Sequence, residues 1–366
     1  MQRFSSPTSF RHDTPERTAV LLVQLGTPAA PTAAALRPYL REFLSDPRVV
    51  EIPRLIWWPI LHGIILNTRP ARSAQKYASV WTDAGSPLMA HSLRQAEGLR
   101  AELARRQTQA TVALAMRYGE PSIGSVLREL RDQGLRRLLV LPLYPQYAGS
   151  TTATAVDAVT RELQTWRNLP ELRWVRNFHD HPAYIDALAT QVRAAWAQRP
   201  PADKLVMSFH GVPRRTLELG DPYHCECLVT ARLLAQRLQL PPDRWVVTFQ
   251  SRFGKAEWLQ PYTEPTLVAL AQSGIRSVDV ICPGFVSDCL ETLEEIAIEA
   301  RHAFVEAGGA EFNYLGCLND SAPFIAALAD VVSAHTAGWP VHGPATPGET
   351  ELAERAARAR KLGAAA

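Results

Sequence analysis

A chain of 366 residues with 46% hydrophobic and 20% charged residues can bury a large core, and ordinary domain sizes make two domains the natural division. The formal charge of +3 is small for this length, and no Lys/Arg run with interleaved aromatics occurs, so the electrostatic footprint of a nucleic-acid partner is missing. The five cysteines, Cys225, Cys227, Cys282, Cys289 and Cys317, are an odd set that favours reduced thiols over a disulfide framework.

From the start of the chain, Arg3, Arg11, His12, Asp13, Glu16 and Arg17 are mixed with Pro and Ser and lack the apolar run of a secretory signal, which predicts a cytoplasmic protein. A first strand is expected over 19–25. The most apolar segment, 55–66, contains Trp57, Trp58, Pro59 and Gly63; it is too short to span a bilayer and suits shallow peripheral contact with one. Strands then recur over 112–116, 137–143, 173–178, 204–209, 244–249, 277–282 and 311–315. Helical apolar spacing lies between them over 124–133, 152–166, 184–197, 229–238, 263–272 and 291–307. Strand and helix alternation argues for an α/β protein whose parallel sheets are covered by helices on both faces. Eight strands could close one barrel. The long excursion between 27 and 111 favours two Rossmann-like domains instead, each a four-stranded parallel sheet flanked by helices, over 19–180 and 181–336. After Trp339, Pro340, Gly343, Pro344, Pro347 and Gly348 lead into a charged Ala-rich stretch, read as a flexible tail over 337–366 with a marginal surface helix.

In open α/β sheets, ligands bind beyond the carboxyl ends of the strands, so the residues that follow each strand are the informative ones. Here they are aromatic and sparsely charged: Leu25-Gly26-Thr27-Pro28, Arg117-Tyr118-Gly119, Tyr144-Pro145-Gln146-Tyr147, Phe209-His210-Gly211, Ser251-Arg252-Phe253 and Gly284-Phe285. No glycine-rich phosphate loop of either nucleotide-binding pattern occurs, and a flat apolar ligand fits such strand ends better than a nucleotide. Aromatic strand ends also serve as core plugs. The helix expected from near Asp288 places Glu291, Glu295 and Glu299 in one stripe at about 100° per residue, with Glu294 beside it. A carboxylate ladder of this kind needs solvent or a cation. His210 could be a hydrogen-bonded core residue; together with Glu291 it offers an imidazole and a carboxylate that suit ferrous iron and can both carry protons. His179-Asp180-His181 is read as a helix start with Asp180 near its cap, and His224-Cys225-Glu226-Cys227 as an incomplete metal motif.

Ser208-Phe209-His210-Gly211-Val212-Pro213, Gly220-Asp221-Pro222-Tyr223, Leu143-Tyr144-Pro145-Gln146-Tyr147 and Gly284-Phe285-Val286-Ser287-Asp288-Cys289-Leu290-Glu291-Thr292-Leu293-Glu294-Glu295 resemble ferrochelatase motifs, collinear from about residue 19 to about residue 327. The resemblance implies a class II chelatase-like fold with a porphyrin held between two domains and ferrous iron inserted into it. It implies His210 and Glu291 as the catalytic and metal-holding pair, with Glu295 continuing an acidic path away from them. Leu25, Arg117, Tyr118, Tyr144, Trp258 and Phe285 match pocket positions. Arg69, Arg72, Tyr77 and Ser86 match segments that hold propionates, and 55–66 matches a hydrophobic lip at the pocket mouth.

Two departures bear on mechanism and cofactor. Cys289 stands where some relatives carry histidine, and a thiol occurs there in bacterial-type sequences. The cysteine-bearing extension of other branches is missing and Gly149 replaces an animal-type cluster cysteine, so no permanently bound cofactor and no 2Fe–2S cluster is expected. The apolar lip favours protoporphyrin over coproporphyrin, and a monomer is expected. The competing readings are a cobalt or nickel tetrapyrrole chelatase and a non-catalytic porphyrin carrier, which would have no use for carboxylates facing His210.

Overall fold

The computed structural model describes residues 4, 11–341 and 348–364. Eight strands form: β1 (Arg17–Gly26), β2 (Thr111–Tyr118), β3 (Leu135–Pro142), β4 (Glu171–Trp174), β5 (Lys204–His210), β6 (Trp245–Gln250), β7 (Ser277–Ile281) and β8 (Glu311–Tyr314). They make two open parallel sheets of four strands, ordered β2-β1-β3-β4 and β6-β5-β7-β8. The second half thus repeats the strand order of the first, and no barrel closes. Residues 19–23 of the central strand β1 are buried on both faces, which is why it reads as an unbroken apolar run and not as an alternation.

The first half carries α1 (Ala33–Leu44), α2 (Arg54–Ile60), α3 (Leu66–Val80), α4 (Pro87–Arg105), α5 (Ile123–Asp132) and α6 (Thr154–Leu163). The second carries α7 (Pro182–Gln198), α8 (Arg214–Glu218), α9 (Tyr223–Arg237), α10 (Thr263–Gln272), α11 (Leu290–Leu293), α12 (Arg301–Glu306) and α13 (Ala322–His335), and α14 (Glu349–Lys361) follows. In α5, Ile123, Val126, Leu127 and Leu130 form the buried helical stripe, and Ser122 caps the first turn by accepting the Ser125 N–H.

The two sheets share a core. Leu99 of α4, Leu141 of β3, Leu188 of α7, Phe209 of β5, Leu234 of α9 and Leu328 of α13 belong to one continuous buried cluster. Tyr184 joins the halves through ring contacts with Phe178 at 5.4 Å and Phe324 at 6.5 Å. Each sheet's other face has its own cluster, around Leu138 and Val159 in one and around Val280 and Phe304 in the other.

Three expectations need correction. β4 ends at Trp174 and not at 178, because Phe178 leaves the sheet to enter the shared core. The expected tail is anchored at its start: Trp339 is buried, its indole N–H donates to Glu171 at 2.7 Å and Arg173 lies 4.4 Å over its ring. Farther on, Leu352 and Ala356 of α14 are buried and Arg355 donates to the Thr14 carbonyl at 2.7 Å, while Gly343, Pro344 and Pro347 lie outside the described residues. The apolar segment 55–66 is helical, running from α2 through a π turn (Leu61–Ile65) into α3, and its face is divided. Trp57, Leu61 and Leu66 point inward, whereas Leu55, Ile56, Trp58 and Ile64 are exposed. Among the described residues, no helix is long and apolar enough to cross a membrane.

Candidate active site

In each sheet the chain leaves the central strand to one side and returns on the other, so the topological switch point lies between β1 and β3 and again between β5 and β7. Leu25 and Tyr144 stand at the carboxyl ends of the first pair; His210 and Phe285 stand at those of the second.

His210 is the last residue of β5 and is half-buried. Its Nδ1 lies 2.5 Å from the Gly211 carbonyl oxygen. A carbonyl only accepts, so this contact is an Nδ1–H donation, and in the neutral ring it leaves the lone pair on Nε2. Gly211 is required for this geometry, because a Cβ there would sit 2.7 Å from the Gln250 carbonyl oxygen and 3.1 Å from the Trp258 ring. The Trp258 and Phe285 rings flank the imidazole at 6.4 and 6.2 Å, and Tyr223 donates to the His210 carbonyl at 2.9 Å. His210 is thereby an oriented imidazole with an apolar surround.

Glu291 opens α11 behind a tightly tied loop. Asp288 accepts from Tyr314 at 2.6 Å, Asn319 at 2.7 Å and Thr292 at 3.0 Å, and the Cys289 N–H donates to Thr292 at 3.0 Å. Burial, and then the Glu291 carboxylate, push the Cys289 thiol and the Tyr39 phenol above their ordinary values; for Tyr77 the order is burial, Tyr39 and Glu291. These three groups therefore stay neutral around Glu291 at ordinary pH. Cys289 supplies a thiol and not a second imidazole there. Arg69 is lowered by burial and is held up by Tyr77 and Glu291, so Glu291, from the second half, faces α1 and α3 of the first.

The expected stripe of Glu291, Glu295 and Glu299 does not form as a stripe. After α11 the chain winds as a π turn (Glu295–Ala300), with the Glu299 N–H donating to the Glu294 carbonyl at 2.9 Å. This register turns Glu295 inward, where it accepts from the Ser251 N–H at 2.6 Å and the Ser251 hydroxyl at 2.5 Å. Glu294 and Glu299 meet Lys76 instead. An ordinary helical period cannot anticipate the exchange, because the extra residue per turn is a tertiary outcome.

Gln250 stands at the strand end that precedes Ser251 and was given no role in the site by the motifs. It pairs with His210 in the β5/β6 register, accepts from Ser208 at 2.8 Å and donates to the Glu291 carbonyl at 2.7 Å. One buried amide thus links the strand that carries His210 to the turn that carries Glu291. The signal was present in the sequence as two polar residues, Ser208 and Gln250, inside otherwise apolar strands.

Leu25, Tyr39 and Tyr77 pack together at the end of β1. Arg69 lies 4.7 Å over the Phe253 ring, Ser86 accepts from Thr27 at 2.8 Å, and Arg72 is exposed. The Tyr144 hydroxyl is buried without a hydrogen-bond partner in the protein. Arg117 and Tyr118 differ from the expectation of an open pocket wall. Their polar atoms converge on the buried Asp46 and Thr154, with Tyr118 2.9 Å from Asp46 and Arg117 2.6 Å from the Thr154 hydroxyl, so they brace the floor of the cleft. His181 occupies the N-cap position of α7 without a side-chain capping bond, and Asp180 lies beside it, near the helix start expected over 179–181. A surface cavity of about 540 Å³ lies elsewhere, beside Arg199, Arg301 and Tyr314, and contains none of the His210 and Glu291 group. Among the described residues, no three His, Cys, Asp or Glu side chains converge on one point.

The family model described as Ferrochelatase matches residues 17–336. Curated proteins named Ferrochelatase are similar over essentially the whole chain. One from Aromatoleum aromaticum is 61% identical over 365 residues, and one from Azoarcus sp. is 59% identical over 365 residues, each covering 100% of both chains. One from Chromobacterium violaceum is 56% identical over 372 residues, again with 100% coverage of both. Among solved structures, SirB from Bacillus subtilis with Fe3+ aligns with a TM-score of 0.52 at 14% identity, covering 89% of this chain and 99% of that one, a likeness of fold. The sirohydrochlorin chelatase SirB in complex with cobalt aligns at 0.50 and 11% identity, covering 89% and 98%.

Proposed function

This chain belongs to the ferrochelatase family and is a metal-insertion lyase of haem biosynthesis, and we propose that it inserts Fe2+ into protoporphyrin IX with His210 and Glu291 as its catalytic pair. The observation that supports the residue assignment is the contact of His210 Nδ1 with the Gly211 carbonyl, between the Trp258 and Phe285 rings. With Nδ1–H committed to Gly211, Nε2 presents a lone pair between Phe285 and Trp258, where a flat macrocycle would stack. Metal insertion exchanges two pyrrole N–H protons for one Fe2+. Nε2 accepts one pyrrole proton and the Glu291 carboxylate the other, so both protons have an acceptor as Fe2+ enters the ring. The neutral phenols of Tyr39 and Tyr77 and the neutral thiol of Cys289 leave Glu291 as the charged acceptor in its surroundings. Glu295, held by Ser251, passes protons onward from Glu291.

Arg69, Arg72, Tyr77 and Ser86 bind the propionates, and Leu25, Tyr144, Trp258 and Phe285 contact the ring. The exposed Leu55, Ile56, Trp58 and Ile64 rest on the cytoplasmic face of a membrane, from which an apolar porphyrin is drawn. The protein acts as a monomer without a resident cofactor.

The test is anaerobic turnover with Fe2+ and protoporphyrin, in competition with Co2+, Ni2+ and coproporphyrin. His210→Ala should bind porphyrin with little change and lose insertion by at least about a hundred-fold, the lower range for a general base. Wild-type insertion rates in that variant would remove His210 from the mechanism. Preference for Co2+ or Ni2+ over Fe2+ would replace the proposed reaction.

A further inference from the structure

Helix α3 and the acidic π turn come from opposite halves of the molecule and are joined by one cation. Lys76 Nζ lies 2.8 Å from Glu294 Oε1, 3.0 Å from Glu294 Oε2 and 2.9 Å from Glu299 Oε1, across 218 and 223 residues of chain. Two carboxylates can reach one ammonium because of the π register, which aligns Glu299 with Glu294. In an ordinary helix Glu299 would align with Glu295, which is occupied by Ser251. The Glu294 side chain is only 11% exposed, and burial raises its carboxyl above the ordinary value while Lys76 opposes that rise. A desolvated carboxylate of this kind needs its counter-charge. The same helix makes a second tie across the cleft through Arg69 over Phe253 at 4.7 Å. Tyr77, next in sequence to Lys76, faces Glu291.

Resting on the reading of α3 and α11 as walls of the porphyrin cleft, we infer that Lys76 is a positioning residue: an ionic latch that holds α3 against the π turn that follows Glu291. Its ammonium touches neither substrate nor reacting atoms. It sets how tightly the cleft is closed, and loosening it speeds the exchange of porphyrin.

The experiment is stopped-flow displacement of fluorescent protoporphyrin by excess mesoporphyrin, on wild type, Lys76→Met, Lys76→Arg and Glu299→Gln, at low and high ionic strength. Lys76 is about half-exposed, so these variants should fold, and thermal midpoints check it. Lys76→Met should raise the dissociation rate about three- to ten-fold at low salt, the range for a small charge network. Lys76→Arg should restore the wild-type rate. Salt should accelerate dissociation from wild type more than from Lys76→Met, because only the former has this latch to screen. Single-turnover insertion into bound porphyrin should change less than dissociation does. Wild-type dissociation rates and an unchanged salt slope in Lys76→Met overturn the latch. A wild-type protein that binds no porphyrin overturns the functional reading itself, and the latch with it.

Discussion

Trp57 and Trp58 are adjacent in sequence and opposite in environment, which makes a paired substitution a sharp test of the lip. Trp57 is 8% exposed, packs with Leu36, Leu40, Leu44, Leu61 and Leu66, and donates its indole N–H to the Leu44 carbonyl at 2.7 Å. Trp58 is 46% exposed and tilts over His62 at 5.1 Å. Removing a buried Trp side chain costs about 3–5 kcal/mol, and the orphaned Leu44 carbonyl adds about 1 kcal/mol. Unfolding entropy near 2.1 cal/mol/K per residue gives about 0.8 kcal/mol/K for 366 residues, so Trp57→Ser should lower Tm by about 5–8 °C if the chain unfolds as one unit. Trp58→Ser should cost less than about 1 kcal/mol, the usual range for a surface change. Vesicle binding should follow the reverse order, with Trp58→Ser losing co-sedimentation with anionic liposomes and raising the KM for protoporphyrin. Trp57→Ser should retain binding at temperatures where it is folded. Calorimetry and co-sedimentation on the same preparations decide the matter. Equal stability losses in the two variants would refute the burial argument, and unchanged lipid binding in a Trp58→Ser/Ile56→Ser double variant would remove the membrane contact.

Three further outcomes are expected. Glu291→Gln should lose most of the single-turnover insertion rate, whereas Glu299→Gln, farther along the π turn and paired with Lys76, should retain most of it; equal losses would contradict an acidic path that leads away from Glu291. Asp46 is pushed up by burial, but hydrogen bonds from Thr154 and the Arg48 N–H and the Arg117 charge outweigh this, so its folded pKa is depressed. A depressed carboxyl contributes stability above its unfolded pKa, near 3.9, and loses it as pH falls through the folded value. Asp46→Asn should therefore lower stability at neutral pH and flatten the acid limb below about pH 4, and a parallel acid limb in urea titrations from pH 2 to 7 would refute it. Purified protein without substrate should be colourless, and stoichiometric iron and sulfide with visible absorption would establish a cluster.

Strand number and type were legible in the sequence because a parallel strand buried on both faces must be an almost unbroken apolar run, and β1, β3 and β5 are such runs. His210 and Phe285 were legible as candidates because strand ends in this architecture face the cleft, and the length of the collinear motifs identified the family. Tertiary structure decided the rest. It divided 55–66 between core and surface, because Trp57, Leu61 and Leu66 join the cluster that α1 forms with Leu36, Leu40 and Leu44 while their neighbours in sequence face away from it. It drew Trp339 out of an apparent linker, since the edge of β4 leaves Glu171 and Arg173 in need of partners. It also broke the even spacing of the glutamates, because Glu295 is held by Ser251 and Glu294 by Lys76, and both partners lie far away in sequence. Local spacing records which residues share a helix face only while the helix keeps an ordinary turn; the π register depends on long-range contacts that no local period contains.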